Sequence, residues 1–540
     1  MWDRRWDRWD RWRQWRSALA LLLLGGALGC FDGDGFEYRQ CVVTEDCNPA
    51  LDLRGERFAC IAGLCEYTLC GTRQEECNDG SNSGEDDGCL QTCHKYTCGD
   101  GIVTELAEGC DDGNREDNDG GCDSDCRKIA VAIGSGPAAD HVCAISEGQV
   151  RCWGRNGEGQ LARGNTANLG DEVDELPSAD IPRSADARIT KVVATQSATC
   201  VLKDDGKVHC WGLNVEGLLG TGKVEDILIG DRDGELPAAA VVLGGPAVDI
   251  VGGAQHACAL MQGGTVRCWG AGESNQLGYM DMDMEAVGDD EEPVSRDVLP
   301  IAGVVQLAAG RDHTCALNKA GEVFCWGLNS YGQVGYKDEF NIEVPRKDPV
   351  QLGAPATQIA SGSAHTCALI SPTEIRCWGD GFDGALGNNQ YDDVGFAQTP
   401  AEGKPVAMLA AEDRVARIYA GGAHTCVLLV GGAVRCWGIG SSGQLGNGLT
   451  YNFGDGFGEV DGLPAIPPLV DVGGEVLDLA LGEATTCALL VGGQVRCWGR
   501  NSEGQLGRND TEWIGDEEGE MPPRDAIIYR TPGRFMSEAF

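Results

Sequence analysis

The sequence predicts an all-β chain, seven copies of one strand–turn–strand unit carried behind a small disulfide-rich, loop-rich segment. Three observations carry that reading. Cys-Trp-Gly occurs seven times, with its tryptophans at Trp153, Trp211, Trp269, Trp326, Trp378, Trp437 and Trp498, spaced 52 to 61 residues apart. Nine or ten residues before the cysteine of each triplet stands a second cysteine. A Gly-rich tail follows, seen clearly in Asn156-Gly157-Glu158-Gly159-Gln160-Leu161 and Asn501-Ser502-Glu503-Gly504-Gln505-Leu506-Gly507. Self-similarity at such a period marks a repeat architecture.

Bulk properties narrow the class. The formal net charge of the 540 residues is −42. Such a surface repels phosphate backbones and anionic lipid, so nucleic acid is excluded as a partner, and cations or basic partners are the natural counterparts. Twenty-seven cysteines are too many for a reducing compartment unless they hold metal. The zinc spacing CxxC is absent, so the cysteines read as disulfides.

Residues 1–29 read as a signal peptide. Six Arg, three Asp and five Trp interleave over the first sixteen residues, and Ala18 to Leu28 follows without a charge. That run is short for a membrane span and right for a signal-peptide core. It ends Ala27-Leu28-Gly29-Cys30, which resembles a bacterial lipobox with Ala27 where such boxes usually carry Leu. Setting Cys30 aside leaves an even 26 cysteines, so a lipid on Cys30 accounts for the odd one. The competing expectation is plain secretion with a spare thiol.

Residues 31–127 hold twelve cysteines, with 24 acidic and 7 basic residues. Residues 30–66 comprise Cys30 and a module of Cys41, Cys47, Cys60 and Cys65. Residues 67–127 hold two copies of one pattern: Cys77-Asn78-Asp79-Gly80 runs to Cys89 and Cys93, and Cys110-Asp111-Asp112-Gly113 runs to Cys122 and Cys126. The pattern resembles the cysteine-rich disulfide repeats of myxobacterial surface proteins. Modules this small bury too little surface to fold without cross-links. Asp111, Asp112, Asn114, Asp117 and Asp119 offer the clustered oxygens that calcium requires; the plainer reading is a solvated turn.

The repeat unit spans residues 128–532, before a tail at 533–540. In the last copy Cys487-Ala488-Leu489-Leu490 and Gln494-Val495-Arg496-Cys497 flank Val491-Gly492-Gly493, two strands around a glycine turn. Counting inward sets the two cysteines opposite each other, and Leu489 opposite Val495. Directly opposed residues are close enough to bond. One cross-strand disulfide per unit is therefore expected: Cys143–Cys152, Cys200–Cys210, Cys258–Cys268, Cys315–Cys325, Cys367–Cys377, Cys426–Cys436 and Cys487–Cys497.

The unit resembles the RCC1-repeat family, whose motif runs through His-Thr-x-Ala-Leu, a Gly turn, Val-x-x-Trp-Gly, Asn and Gly-Gln-Leu-Gly. The resemblance covers residues 128–532 and implies a seven-bladed β-propeller of four-stranded blades. In that family strands from the two chain ends usually pair to close the ring, so Ala526 to Tyr529 is expected to complete the blade begun near Ile129 to Ile133. The cysteine pairs add to the family pattern and suit an oxidising exterior.

Histidine invites a catalytic reading. Yet His141, His256, His313, His365 and His424 each stand two residues before the first cysteine of a unit, where the other two units hold Ala198 and Thr485. A residue used once per blade belongs to the blade. The seven tryptophans read likewise as core between blades. Acidic stretches such as Gly170-Asp171-Glu172, Gly230-Asp231-Arg232-Asp233, Gly288-Asp289-Asp290-Glu291-Glu292 and Gly515-Asp516-Glu517-Glu518 read as rim loops. They serve turn chemistry or, alternatively, a cation or basic partner. Blade-specific residues are better binding candidates: Tyr279 to Met284, Tyr391 and Trp513.

No phosphate loop, zinc-protease motif or nucleophile with a non-repeated His is present in the sequence. The expectation is a cell-surface or secreted lipoprotein that is not an enzyme, a scaffold whose propeller face binds an extracellular protein or glycan and touches membrane only through its lipid. The alternatives are an extracellular enzyme working on a propeller face, or a specific protein inhibitor, since secreted bacterial relatives include a β-lactamase inhibitor protein. Nucleotide exchange with chromatin binding, the role that named the family, conflicts with export and acidity.

Overall fold

The structure is a computed structural model. It describes residues 131–526 apart from 147, 177–180, 182–186, 224–226, 280–285, 298 and 457–464, together with the backbone of four strands between residues 28 and 68. The chain divides into two units. In the first, β1 (Leu28–Phe31), β2 (Tyr38–Cys41), β3 (Arg57–Ile61) and β4 (Leu64–Thr68) form one sheet in the order β2-β1-β4-β3. Cys30 lies on β1 opposite Arg39. The calcium candidates Asp111, Asp112, Asn114, Asp117 and Asp119, and the cysteines from Cys70 to Cys126, lie outside the described residues.

The second unit holds seven separate sheets, one per repeat. The first blade is β5 (Ala132–Gly134), β6 (His141–Ser146) and β7 (Gln149–Gly154). The second is β8 (Ile189–Ala194), β9 (Ala198–Lys203) and β10 (Val208–Leu213), with the two-residue β11 (Leu228–Ile229) at its edge. The third and fourth are β12 (Ala247–Gly252), β13 (His256–Met261), β14 (Val266–Gly270), then β15 (Val304–Ala309), β16 (His313–Asn318), β17 (Val323–Gly327). The fifth and sixth are β18 (Gln358–Ser361), β19 (His365–Ser371), β20 (Glu374–Gly379), then β21 (Val415–Ala420), β22 (His424–Leu429), β23 (Val434–Gly438). The seventh is β24 (Val476–Leu481), β25 (Thr485–Leu490) and β26 (Val495–Gly499).

Every blade is an antiparallel meander, and its middle strand lies between neighbours on both sides. That is why β6, β9, β13, β22 and β25 are buried at every position. The register is the one the turns impose: Cys487 faces Cys497 and Leu489 faces Val495. The shorter turn of the first blade leaves Cys143 facing Cys152. All seven cysteine pairs are bonded, with Cα atoms 4.0 to 4.1 Å apart.

Two features differ from expectation. The outer edge of each blade is reduced to short bridges: the two-residue β11 in blade two, one bridge at the glycine after each other tryptophan, and one further bond in which Ile181, Val241, Leu299, Val350, Val406, Val470 and Ala526 donate to Val150, Val208, Val266, Val323, Ile375, Val434 and Val495. Pro300, Pro349 and Pro405, next to Leu299, Val350 and Val406, cannot donate to a ladder, which limits pairing in those blades. At the one described residue of the expected closing strand, the pairing also differs. Ala526 completes the seventh blade by bonding Val495, not the first blade; 527–529 lie outside the described residues.

Closure is instead side by side. The first strands of successive blades lie next to one another, and β24 packs against β5 as β12 packs against β15. The loops after these strands link as well: Gln196 donates to Ala254, Ala254 to Arg311, Arg311 to Ser363, Ser363 to Gly422, Gly422 to Gly482 and Glu483 to Ala139. The first blade's loop reaches beyond its neighbour, because the Ser363 hydroxyl of the fifth blade donates to Pro137, 2.9 Å away.

Replacing both Cys487 and Cys497 with Ala should lower unfolding free energy by roughly 2–3 kcal/mol in urea titrations, as expected for removing a cross-link across a short loop. Unchanged stability would show that strand pairing alone holds the hairpin.

Candidate functional site

The repeated polar residues have to be accounted for first, because they are the obvious chemical candidates. In every blade the tail after Trp-Gly, Gly-Gln-Leu or a variant of it, turns so that one backbone carbonyl points at the next blade. Gln160, Leu218, Gln276, Gln333, Ala385, Gln444 and Gln505 thereby accept the indole N–H of Trp211, Trp269, Trp326, Trp378, Trp437, Trp498 and Trp153, at 2.9 to 3.0 Å. The tail residue just before this carbonyl has positive φ, and it touches the next blade. A Cβ on Gly159 would sit 2.8 Å from the backbone nitrogen of Asp231, so only glycine fits without displacement.

The histidines join the same contact. His141, His256, His313, His365 and His424 place Nε2 2.7 to 2.9 Å from the hydroxyls of Thr199, Thr314, Thr366, Thr425 and Thr486 in the following blade. Each threonine donates its one hydroxyl proton to the tail carbonyl already bonded by tryptophan. The proton between ring and hydroxyl therefore comes from Nε2–H, and Nδ1 is the unprotonated nitrogen. Nδ1 finds no partner in His141, His256, His313 and His424. In three of these rings a glycine backbone covers it: a Cβ on Gly253, Gly310 or Gly421 would come within 2.4 to 2.8 Å.

Complete burial holds all five rings neutral. It lowers their pKa to about 3 for His141, His313 and His424, and to about 4 for His256 and His365. These rings are bound up in the interfaces between blades. The sequence pattern marked them as blade residues; it did not reveal that each one's partner lies one repeat further on.

Part of the acidity is also structural. One carboxylate oxygen of Glu175 accepts the backbone N–H groups of Gly170, Asp171 and Glu172, at 2.7 to 3.1 Å. Glu520 does the same for Gly515, Asp516 and Glu517, and Glu235 for Gly230 and Arg232. The signature is Gly-Asp-x-x-x-Glu, legible in the sequence yet missed. Asp289, Asp290 and Glu291 come together, with Arg296 paired to Glu291 at 3.1 Å.

What remains is blade-specific. Tyr279 is not a surface residue for binding: its hydroxyl is held by the backbone of Cys268, 2.9 Å from both N and O. Met280 to Met284 lie outside the described residues. Trp513 is 39% exposed in the seventh blade. Tyr391 lines a cleft of about 410 Å³ with Tyr331, Asp380, Phe382, Asp392 and Asp393. All but Tyr331 belong to one fifth-blade loop, closed by the bridge between Gly379 and Val394.

Within this loop Asp393 accepts the N–H of Gly381, at 3.1 Å. Three other blades give the same bond to an amide: Asn168, Asn341 and Asn452 accept from Asn156, Asn329 and Gly440. Burial first, then the neighbouring Asp380 and Asp392, push the Asp393 carboxyl above its ordinary range. Asp383 is raised as well, by burial and then by Asp380.

The histidine interfaces predict acid lability. Unfolded, each ring protonates near pH 6.5; folded, none does until about pH 3 or 4. Between those values the unfolded chain binds more protons, so stability falls as pH falls. Each ring should cost about 2 kcal/mol between pH 6.5 and 5, visible as a falling melting temperature. His313→Gln should make that dependence shallower by one proton. A melting temperature flat from pH 7 to 5 would contradict the assignment.

Thr314→Val leaves His256 Nε2 without its partner and removes one of the two donors to the Gln276 carbonyl, which keeps the Trp326 indole, and should cost about 1–3 kcal/mol in denaturant unfolding. No measurable change would remove the role given to the threonine.

Comparison with known proteins agrees with this geometry. The RCC1-like domain model matches residues 94–455, and the regulator of chromosome condensation (RCC1) repeat matches 476–505. The ultraviolet-B receptor UVR8 of Arabidopsis thaliana is 27% identical over 313 residues, 57% of this chain and 66% of the receptor. The mouse E3 ubiquitin-protein ligase HERC2 is 28% identical over 367 residues, 67% of this chain but only 7% of the ligase. The chain thus spans less than two thirds of either relative. Yeast RCC1 (Prp20), solved bound to Kap60, superposes with a TM-score of 0.53 at 22% identity, covering 68% of this chain and 82% of that one. With two thirds of its length matched by the family model, and every blade built on the same motif, the chain belongs to the RCC1-like domain family.

Proposed function

We propose that this chain is an exported, non-enzymatic interaction module: a propeller tethered outside the cell through a lipid on Cys30, binding a protein partner through its rim loops. One observation carries the reading. The repeated histidines, threonines and tryptophans are bound up in blade-to-blade contacts, so chemical individuality is left to exposed, blade-specific side chains such as Tyr331, Phe382, Tyr391 and Trp513. Conserved-fold scaffolds put recognition in just such loops.

Three further points support it. Seven blade disulfides require an oxidising compartment. The uncharged run ending at Cys30 provides a route to one. Among propellers of this fold, yeast RCC1 is solved in complex with a protein, Kap60, which makes a protein the partner class favoured here.

Growth with an alkyne-tagged fatty acid should label the full chain and leave Cys30→Ser unlabelled. A membrane-impermeant amine reagent on intact cells should modify the wild-type chain. Labelling of Cys30→Ser, or protection of the chain in intact cells, would overturn the tether or the exterior location respectively.

A further inference from the structure

We infer that the fifth-blade cleft receives a basic side chain, lysine or arginine, of a polypeptide partner. The inference rests on the protein-binding reading above and specifies the chemistry at one place on the rim. The cleft's volume of about 410 Å³ lies within the roughly 300–1,000 Å³ usual for ligand clefts. Its six lining residues are three aromatics and three carboxylates, with no base among them.

The aromatics are presented to solvent: Phe382 is 72% exposed, Tyr391 49% and Tyr331 43%. Their ring faces carry partial negative charge and attract ammonium and guanidinium groups, an attraction that grows on desolvation. Asp380, Asp392 and Asp393 supply full charges beside them.

A compact divalent ion fits less well. Metal coordination needs oxygens converging on one point. Among the described residues, the group of three carboxylates that converges is Asp289, Asp290 and Glu291, elsewhere on the propeller. The cleft's carboxylates do not form such a group, and aromatic faces beside them suit a cation that lies along rings and bonds at several places.

The loop also departs from its repeats in one direction. Asp380 follows Trp-Gly where the other blades have Arg155, Leu213, Ala271, Leu328, Ile439 and Arg500. Asp393 replaces the asparagine of three other blades. Both changes add negative charge at the cleft.

The experiment uses the full chain and three capped tripeptides, Gly-Arg-Gly, Gly-Lys-Gly and Gly-Glu-Gly, with cellobiose as a neutral sugar, followed by saturation-transfer NMR. The Arg and Lys peptides should bind, and Phe382→Ala should weaken them by roughly fivefold to tenfold without altering the chain's charge. Asp393→Asn should weaken them comparably while keeping the loop's hydrogen bond. Glu517→Gln, on the seventh-blade rim, should have no effect and so controls for general acidity. Equal binding by wild type and Phe382→Ala, equal binding of the Glu peptide, or preference for cellobiose would overturn the inference. Those outcomes concern this cleft alone; failure of surface labelling or lipid attachment would strike the proposed function and leave the peptide result intact.

Discussion

The ring depends on one shared acceptor, the tail carbonyl of each blade, which takes an indole N–H from the next. Seven donors and seven acceptors match only if the last blade meets the first, and Trp153 does bond Gln505, 352 positions away in the chain. An opened ring would exchange the Trp153–Gln505 bond for bonds to water and expose the apolar faces of both blades, losing their burial. Among the described residues, closure follows from hydrogen-bond pairing and packing between neighbouring blades.

The same accounting explains where the histidines are missing. Blade two has Ala198 in place of histidine, and the position that would have faced it in blade three is Ala257 rather than threonine. Blade seven has Thr485, and its counterpart across the closing interface is Val142. Deleting one partner strands a buried polar atom, whereas replacing both with small or apolar groups is nearly neutral. The seven interfaces thus come in two self-consistent forms, five polar and two without the pair. At the closing interface Arg500 supplies a different link, bonding Asp140 in the first blade and Glu483 in its own.

Much of this was legible in the residues. Turn length alone set the hairpin register, and with it every blade disulfide, because a one-residue slip would send the cysteines to opposite faces. The histidines were recognisable as blade residues by period. Their partners were not, since Thr314 sits beside His313 in the sequence while bonding His256 of the preceding blade. Reading His-Thr as one local motif hides a contact between blades. Where the chain ends pair was less legible: the expectation came from the family resemblance, and of Ala526 to Tyr529 only Ala526 is described, bonded to Val495 in its own blade. The recurring Gly-Asp-x-x-x-Glu was legible as a pattern, but the glutamate's role was not, because its partners are backbone amides, which every blade carries whatever its side chains.

In a scaffold this repetitive, a site specific to one partner has to arise where repetition breaks without breaking the frame. The fifth-blade loop meets both conditions. Its closing bridge between Gly379 and Val394 matches the bridges of the other blades, so the backbone course is kept. The bond from Gly381 to Asp393 is also kept, although a neutral amide serves in the blades that use Asn168, Asn341 and Asn452. An amide oxygen and a carboxylate oxygen accept that bond alike. The negative charge on Asp393 is therefore surplus to the fold, and burial beside Asp380 and Asp392 makes it costly to keep. A cation brought in by a partner would lower that cost, so the strain among these carboxylates in the free protein becomes part of the affinity in the complex.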